Sequence, residues 1–472
     1  MNSEVTNTTA GGNKYFFILP ILLLPLFFIQ LDNSFDWGDD FAQYLIQARY
    51  IAGQIQEIPV SCLDGYGPII KGPLFSFLIS PLLLFDELST IMIKTIITAG
   101  LLISCLLLYS NIKKISSNIP ATLAALYLGY HFIIISTKIQ ILPDLLFTSV
   151  LLWGIISLQN VRYSNRYYLK ELIIATTLIL LKPIGFIFII VVIIKYLMLP
   201  TFQSLFKILI LLIVVTGSSV LITNFFENNE NNADILWYHS VVWDQFSFND
   251  LLPRALIYWD AFFLFFDNDI PRNLNILNKV ILGILLLLGF TGSLVRREFL
   301  SVLVLLFVLS IVLFPYDRDP VRILTLIFPM IILLITKGVL ILSRYITIKP
   351  GILMVPLFGF LLLANIPNMA HSIKSMNNVS GPELLTSKEM LIELKSKVGS
   401  NEIVRCSKPW TISYLTGLKT IPLLELTSAE MERNQCQYNW SLVFKEYRSS
   451  ICCDEDNLVF ENKAFAIYQK KP

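Results

Sequence analysis

Charge is scarce in this sequence. Asp, Glu, Lys and Arg make up 15% of the 472 residues against 55% hydrophobic residues, and the mean hydropathy is +0.67. Those values exclude a water-soluble globular protein and leave an α-helical polytopic membrane protein. Excess charge of one sign is also missing: the formal net charge is only +2 and no Lys/Arg-rich run occurs, which removes nucleic acid as a partner. Histidine is reduced to His131, His239 and His371, far apart, and the six cysteines form no CxxC pair and no Cys/His cluster. No structural zinc site is readable from such spacing. The first apolar stretch, 15–31, lacks a small-residue cleavage site and is followed by acidic and bulky residues. It reads as a retained first span rather than a removable signal.

What is present is a series of apolar windows, at 15–31, 91–110, 119–136, 141–159, 205–224, 276–294, 299–314, 321–343 and 351–366, with shorter ones at 168–181 and 183–199. They predict about eleven crossings. Positive residues gather in alternate connectors: Lys113 and Lys114; Arg162, Arg166 and Lys170; Lys195 and Lys207; Arg296 and Arg297; Arg344 and Lys349. The positive-inside rule makes these connectors cytoplasmic. The run "GPLFSFLISPLLLF" (72–85) is short, carries Pro73 and Pro81, and would reverse the charge pattern of every later loop if it crossed. It is therefore read as re-entrant or interfacial. The amino terminus then lies inside, and the connectors 32–70, 137–144, 225–275 and 315–320 lie outside.

Two domains are expected: a membrane domain over 1–366, with outer loops 32–90 and 225–275, and a soluble extracytoplasmic α/β domain over 367–472. In the second, "TSKEMLIELKSK" has helical period, "NEIVRC" and "WSLVFKE" read as strands, and "NLVFENKAFAIYQ" reads as a hairpin. Cys406, Cys436, Cys452 and Cys453 supply one disulfide in an oxidising setting, with Cys436 as a member, or else stay as buried thiols.

The sequence "NSFDWGDDFAQYLIQARY" (33–50) places Asp36, Asp39 and Asp40 directly after the first span. From Asp39 onward Phe41, Leu45, Ala48 and Ala52 recur at helical spacing with Gln43, Gln47 and Gln54 on the other side, the pattern of a helix lying in the membrane interface. Acidic residues in a first turn are favoured by the helix dipole, which accounts for one Asp but not for three in five positions. A carboxylate beside apolar walls at the water boundary also serves as a general base. Residue types alone leave cap and base as equal readings.

The order of a first span, then "DWGDDFAQYLIQARYIAGQ", then "YGPIIKGPLFSFLISPLLLF" resembles the GT-C membrane glycosyltransferases, in the branch of protein O-mannosyltransferases and aminoarabinose transferases (glycosyltransferase family 39-like). Asp39 and Asp40 match that branch's acidic pair, Tyr44 its aromatic residue, Gly53 its glycine, and the segment from Tyr66 its proline run. The second acid of the pair is usually Glu there, and one proline is displaced here. The resemblance implies a polyprenyl-phosphate sugar donor, an outward-facing active site and Asp39 as catalytic base, with Asp40 as its partner. It also implies a second carboxylate near the base, matched by Asp144 in "STKIQILPDLLFTSVLL", where a helix amino-terminal Asp after Pro143 is the equal alternative. Nearby Lys138 reads as an interfacial anchor.

A donor phosphate needs cations at the outer mouth, because its charge grows as it leaves. Lys71, Lys182 in "LLKPIG" and Arg322 in "FPYDRDPVRILTLIFP" are the candidates, with Arg318 nearer solvent; Arg322 with Pro329 resembles the family's "RY...P" element, Ile323 standing for Tyr. Each also fits a side chain snorkelling to the interface. Trp237, Trp243 and Trp259 fit an aromatic belt, and His239 a loop hydrogen-bonder. Tyr44, Tyr66, Lys71, Lys182 and Arg322 make up the substrate-binding set.

The function implied is transfer of a sugar from a polyprenyl-phosphate donor to a lipid, glycan or protein acceptor, in the plasma (inner) membrane, with the active site extracytoplasmic. No cofactor is required. A divalent metal is not expected, the cationic side chains sufficing for a monophosphate, with a DxD-like site at Asp36 or Asp39 as the alternative. The rival functions are a lipid or polysaccharide transporter or flippase, which tends to carry internal repeats and midplane charges, and an outer-face polysaccharide polymerase or ligase.

Overall fold

The structure, a computed structural model, describes residues 13–29, 31–32, 38–56, 72–159, 165–198, 201–226, 248–313, 319–377, 382, 384–399, 402–422, 439–445 and 457–470. Each of the eleven apolar windows coincides with a helix or an adjoining pair of helices: α1 (Asn13–Leu23) with a 3-10 turn, α4 (Ser89–Ile115), α5 (Asn118–Gly129) with α6 (Phe132–Ile139), α7 (Asp144–Gln159), α8 (Asn165–Leu181), α9 (Phe186–Leu197), α10 (Phe202–Phe226), α12 (Arg272–Val295), α13 (Phe299–Leu313), α14 (Pro320–Thr325) with α15 (Phe328–Tyr345), and α16 (Pro350–Asn377). Among the described residues, four helices are long and apolar enough to cross a membrane by themselves, at 89–115, 272–295, 328–345 and 350–374. The pair α5 and α6, bent by 48°, has the length and composition of a fifth, broken span or of a re-entrant loop, and the remaining apolar helices are shorter.

Small residues and buried amides set the packing of these spans. Helices α12 and α15 touch backbone to backbone: a Cβ on Gly289 would lie 1.8 Å from the Leu334 carbonyl oxygen, and one on Gly338 1.9 Å from that of Leu285. Close approach through small residues is how helices associate where water supplies no driving force. The 48° bend between α5 and α6 interrupts the helical ladder at Tyr130 and Phe132, and Asn365 of α16 fills the gap. Its Nδ2 donates to the Tyr130 carbonyl at 2.6 Å, and its Oδ1 accepts from the Phe132 N–H at 3.2 Å. A backbone group freed inside a bilayer requires such a partner.

The run 72–85 forms α3 (Pro73–Ile79) and continues as a 3-10 helix over Ser80–Leu88. Ahead of it, α2 (Asp39–Ile51) departs from the expected interfacial helix. Gln43 and Gln47, assigned to its watery side, are 4% and 2% exposed. Ser76 of α3 donates to Gln47 Oε1 at 3.0 Å and to the Tyr44 carbonyl at 3.1 Å. On its other side α2 is covered by the carboxyl-terminal domain, so residues 41–48 are buried. The loop expected at 225–275 is also partly helical: α11 (Leu251–Leu264) buries Tyr258 and Ala261 while leaving Trp259 exposed. Lys138 does not snorkel. It is 1% exposed, and its ammonium donates to the Ile29 carbonyl.

The last span runs on to Asn377 before the chain enters the carboxyl-terminal domain, with α17 (Leu385–Lys397), β1 (Ile403–Cys406), α18 (Pro409–Thr416), β2 (Lys419–Pro422), β3 (Trp440–Phe444), β4 (Asn457–Glu461) and β5 (Phe465–Gln469). The sheet order is β2-β1-β3-β5-β4, with β1 parallel to β2 and β3, and β5 antiparallel to β3 and β4. Met390, Leu394, Val404, Ile412, Leu442 and Ile467 form its core. Cys406 is buried on β1; Cys436, Cys452 and Cys453 lie outside the described residues.

Helix α18 was not legible as a separate element in "SKPWTISYLTGLKTIP". Pro409 starts it at a position where its missing N–H costs nothing, and Gly417 ends it at φ +76°. It packs on α2: Arg49 lies 4.1 Å over the Tyr414 ring and donates from Nη1 to the Tyr414 carbonyl at 3.2 Å. Thr411 Oγ1 donates to the carbonyl of Gly38, the residue that opens α2, at 3.3 Å.

Candidate active site

The acidic pair occupies the first two positions of α2, behind Gly38, whose extended backbone (φ −64°, ψ 121°) turns the chain into the helix. One Asp40 carboxylate oxygen accepts from Arg322 Nη1 at 2.6 Å. This ion pair with a residue 282 positions away goes beyond what a helix cap would supply.

Asp144 opens α7 directly after Pro143, and its side chain is completely buried. Its carboxylate accepts from Lys182 Nζ at 2.7 Å, and from Arg322 Nε and Nη2 at 3.4 and 3.5 Å. A buried carboxylate is tolerated when opposite charges and hydrogen bonds compensate it. Here it gathers Lys182 and Arg322, two of the three cations expected at the outer mouth, into one place.

Lys182 stands in the short link between α8 and α9, before the 3-10 turn Pro183–Gly185. That link is held from two directions. A Cβ on Gly185 would lie 2.5 Å from the Leu178 carbonyl carbon, and one on Gly72, at φ +49°, only 1.9 Å from the Leu181 carbonyl oxygen. Arg322 sits in the first turn of α14, whose cap is Asp319: its carboxylate accepts from the Arg322 backbone N–H at 3.3 Å.

These groups border a cavity of about 190 Å³. Asp40, Tyr44, Lys182, Tyr258, Asp319 and Arg322 contribute its polar groups, and Ile184, Phe186, Ile311, Ile323 and Leu326 its apolar surface. Burial pushes the Asp319 carboxyl above its ordinary value, against the opposing pull of the neighbouring Arg322 guanidinium. The arrangement suits an amphiphile with an anionic head group, since Lys182 and Arg322 border a hollow whose surface is mostly apolar.

Of the residues expected from the sequence, Asp40, Tyr44, Lys182 and Arg322 meet at this cavity, and Asp144 lies beneath two of them. The side chain of Asp39 lies outside the described residues although its backbone begins α2. Asp36, Tyr66, Lys71, Trp237, His239, Trp243 and Arg318 also lie outside them. Tyr258 and Asp319 are additions. Asp319-Pro320 carried a usable signal, an Asp cap before a Pro at the first helical position; Tyr258 carried none, because its helix lacks the hydropathy of a span. Among the described residues no group of three or more His, Cys, Asp or Glu side chains gathers as a metal site would require.

No protein-family model and no curated protein matches the chain. Solved structures do. ArnT from Cupriavidus metallidurans, bound to undecaprenyl phosphate, is similar over 96% of this chain and 97% of its own, with a TM-score of 0.58 at 9% identity. The Archaeoglobus fulgidus oligosaccharyltransferase, in complex with Zn and sulfate, is similar over 92% of this chain and 68% of its own (TM-score 0.54, 14% identity). Its complex with an inhibitory peptide and a dolichol-phosphate matches with a TM-score of 0.52 at 13% identity. These neighbours are GT-C superfamily members, and the present chain has the GT-C fold.

Proposed function

We propose that this protein is an integral membrane glycosyltransferase that moves a sugar from a polyprenyl-phosphate donor to an acceptor on the extracytoplasmic face. One observation carries the reading: Lys182 and Arg322, anchored by the buried Asp144, stand together at a cavity whose remaining surface is largely apolar. A phosphate joined to a polyprenyl chain has that same division between charge and grease. The neighbours bound to undecaprenyl phosphate and to a dolichol-phosphate support the donor class.

In the reaction we propose, an acceptor hydroxyl or amine attacks the anomeric carbon from the face opposite the phosphate. Asp39 takes its proton, the bond from the anomeric carbon to the phosphate oxygen breaks, and the electron pair leaves with the polyprenyl phosphate. Lys182 and Arg322 balance the charge that grows on the leaving oxygen, which lowers the barrier only because both are in place beforehand. Asp144 holds the two cations, Asp40 orients the acceptor, and Tyr44 borders the sugar. Tyr66 and Lys71 are assigned to the donor site on the sequence alone. Charge parity supports the outward orientation: the site's residues fall in connectors that alternate with the Lys/Arg-rich ones.

The test is transfer in vesicles from labelled polyprenyl-phosphate sugars by wild type and Asp39→Asn. Undiminished transfer by the variant would remove Asp39 as the base. Absence of transfer by wild type from every such donor would return the protein to the transporter class.

A further inference from the structure

The two described carboxylates paired with the Arg322 guanidinium are unequal. Asp144 is 0% exposed and receives Nε and Nη2 of the guanidinium together with the Lys182 ammonium. Asp40 is 25% exposed, borders the cavity, and meets the guanidinium at Nη1. The first contact holds the cations from behind, and the second lies where a ligand in the cavity would arrive. Asp40 also lies within electrostatic reach of Lys182.

We propose that Asp40 is an internal stand-in for the donor phosphate: the arriving phosphate takes over its contact with Arg322, and the displaced carboxylate turns to the acceptor. This rests on the reading of the cavity as a polyprenyl-phosphate site and adds an order of events to it. Charge bookkeeping supports exchange over addition. Asp40 and Asp144, the two carboxylates that meet the guanidinium, and the two cations are formally neutral together, Asp319 being a cap outside this set, and a sugar phosphodiester carries one negative charge, like the carboxylate it replaces. Adding it without displacement would leave an uncompensated anion beside an apolar wall, which is costly. Exchange keeps the cations paired, leaves the unpaired charge on the 25% exposed Asp40 carboxylate, where water reaches it, and makes Asp40 available beside Asp39 only when a donor is bound. An empty site then lacks its full acceptor-orienting set.

A competing internal anion weakens the binding of an external one, which gives the inference a sign. Equilibrium binding of radiolabelled undecaprenyl phosphate to the purified full-length protein in lipid nanodiscs is the measurement. Asp40→Asn, which keeps the shape and removes the charge, is expected to bind about fivefold or more tightly than wild type. Asp40→Glu, which keeps the charge, is expected to stay near wild type. Asp319→Asn removes a carboxylate from the same cavity without removing a described ion pair to the guanidinium, and its effect is expected to be about twofold or less. Unchanged or weaker binding by Asp40→Asn overturns the exchange, and so does equal tightening by Asp40→Asn and Asp319→Asn, which would reflect bulk charge alone. Should Asp40→Asn fail to fold, judged by its melting profile, Asp40→Ser carries the same expectation. Wild-type protein that binds no undecaprenyl phosphate would overturn the reading of the cavity itself, and the exchange with it.

Discussion

Gly72 and Gly53 offer a matched pair of substitutions in which the backbone strain is similar and the steric consequence is not. Both have positive φ, +49° and +71°, so alanine strains the backbone at either one, by about 1 to 2 kcal/mol. At Gly53 a new Cβ meets nothing within 4 Å. At Gly72 it would lie 1.9 Å from the Leu181 carbonyl oxygen, 1.1 Å short of the 3.0 Å that real Cβ atoms respect. Leu181 immediately precedes Lys182, so the link and Gly72 must separate by about that 1.1 Å. Misplacing a catalytic group by about 1 Å costs on the order of 100-fold in rate. Gly72→Ala is therefore expected to lower transfer from polyprenyl-phosphate donors by about 100-fold, while Gly53→Ala stays within about tenfold of wild type, the strain penalty alone. Initial rates in vesicles at matched protein levels measure both. Equal rates for the two variants would refute the idea that Gly72 sets the position of Lys182.

Three further perturbations test separate parts of the structure. Asp144→Asn leaves two buried or half-buried cations without their shared carboxylate, so thermal unfolding in detergent is expected to show a loss of about 3 to 5 kcal/mol; an unchanged midpoint would mean that the cluster is more hydrated than its burial indicates. Arg49→Ala removes the stacking on Tyr414 and the hydrogen bond to its carbonyl, worth about 1 to 2 kcal/mol. Amide exchange over residues 39–48 is expected to accelerate, and no change there would deny that the carboxyl-terminal domain steadies α2. For Asp319 burial raises the carboxyl. Its contribution to stability is then fully present below the ordinary carboxylate value of 3.8 and is lost as pH rises through the elevated value. Asp319→Asn, which keeps a capping side chain, is expected to match wild type at low pH and to exceed it in stability near neutrality; the reverse order in melting curves would contradict the sign.

The apolar helices were legible because hydropathy is a local property: every window read from the sequence falls on a helix or an adjoining pair, and the hairpin at 457–469 and the strand at 440–444 follow from alternation and composition within a few residues. The surroundings of α2 were not legible. Gln43 and Gln47 mark a polar face by period, and only a partner 29 residues away, Ser76, together with a helix from the far end of the chain, makes that face interior. The site divides in the same way. Asp40, Asp144, Lys182 and Arg322 stood out as rare charges at the ends of apolar segments. Arg322 joining carboxylates 282 and 178 residues distant is a product of the helix packing that no spacing encodes. Asp319 was hidden because "YDRDP" reads as a solvated acidic and basic turn, and Tyr258 because its helix mixes Trp, Asp and Arg with apolar residues.

The central claim is that Lys182 and Arg322 receive the phosphate of a polyprenyl-linked sugar and keep it as the leaving group. Its most direct test follows a polyprenyl-phosphate sugar, labelled in the polyprenyl phosphate, through reaction with purified protein in vesicles. Wild type is expected to release free polyprenyl phosphate while Arg322→Ala, folded to the same melting profile, releases at least about 100-fold less. Equal release by the two proteins, or none by wild type with any polyprenyl-phosphate sugar, would contradict the account.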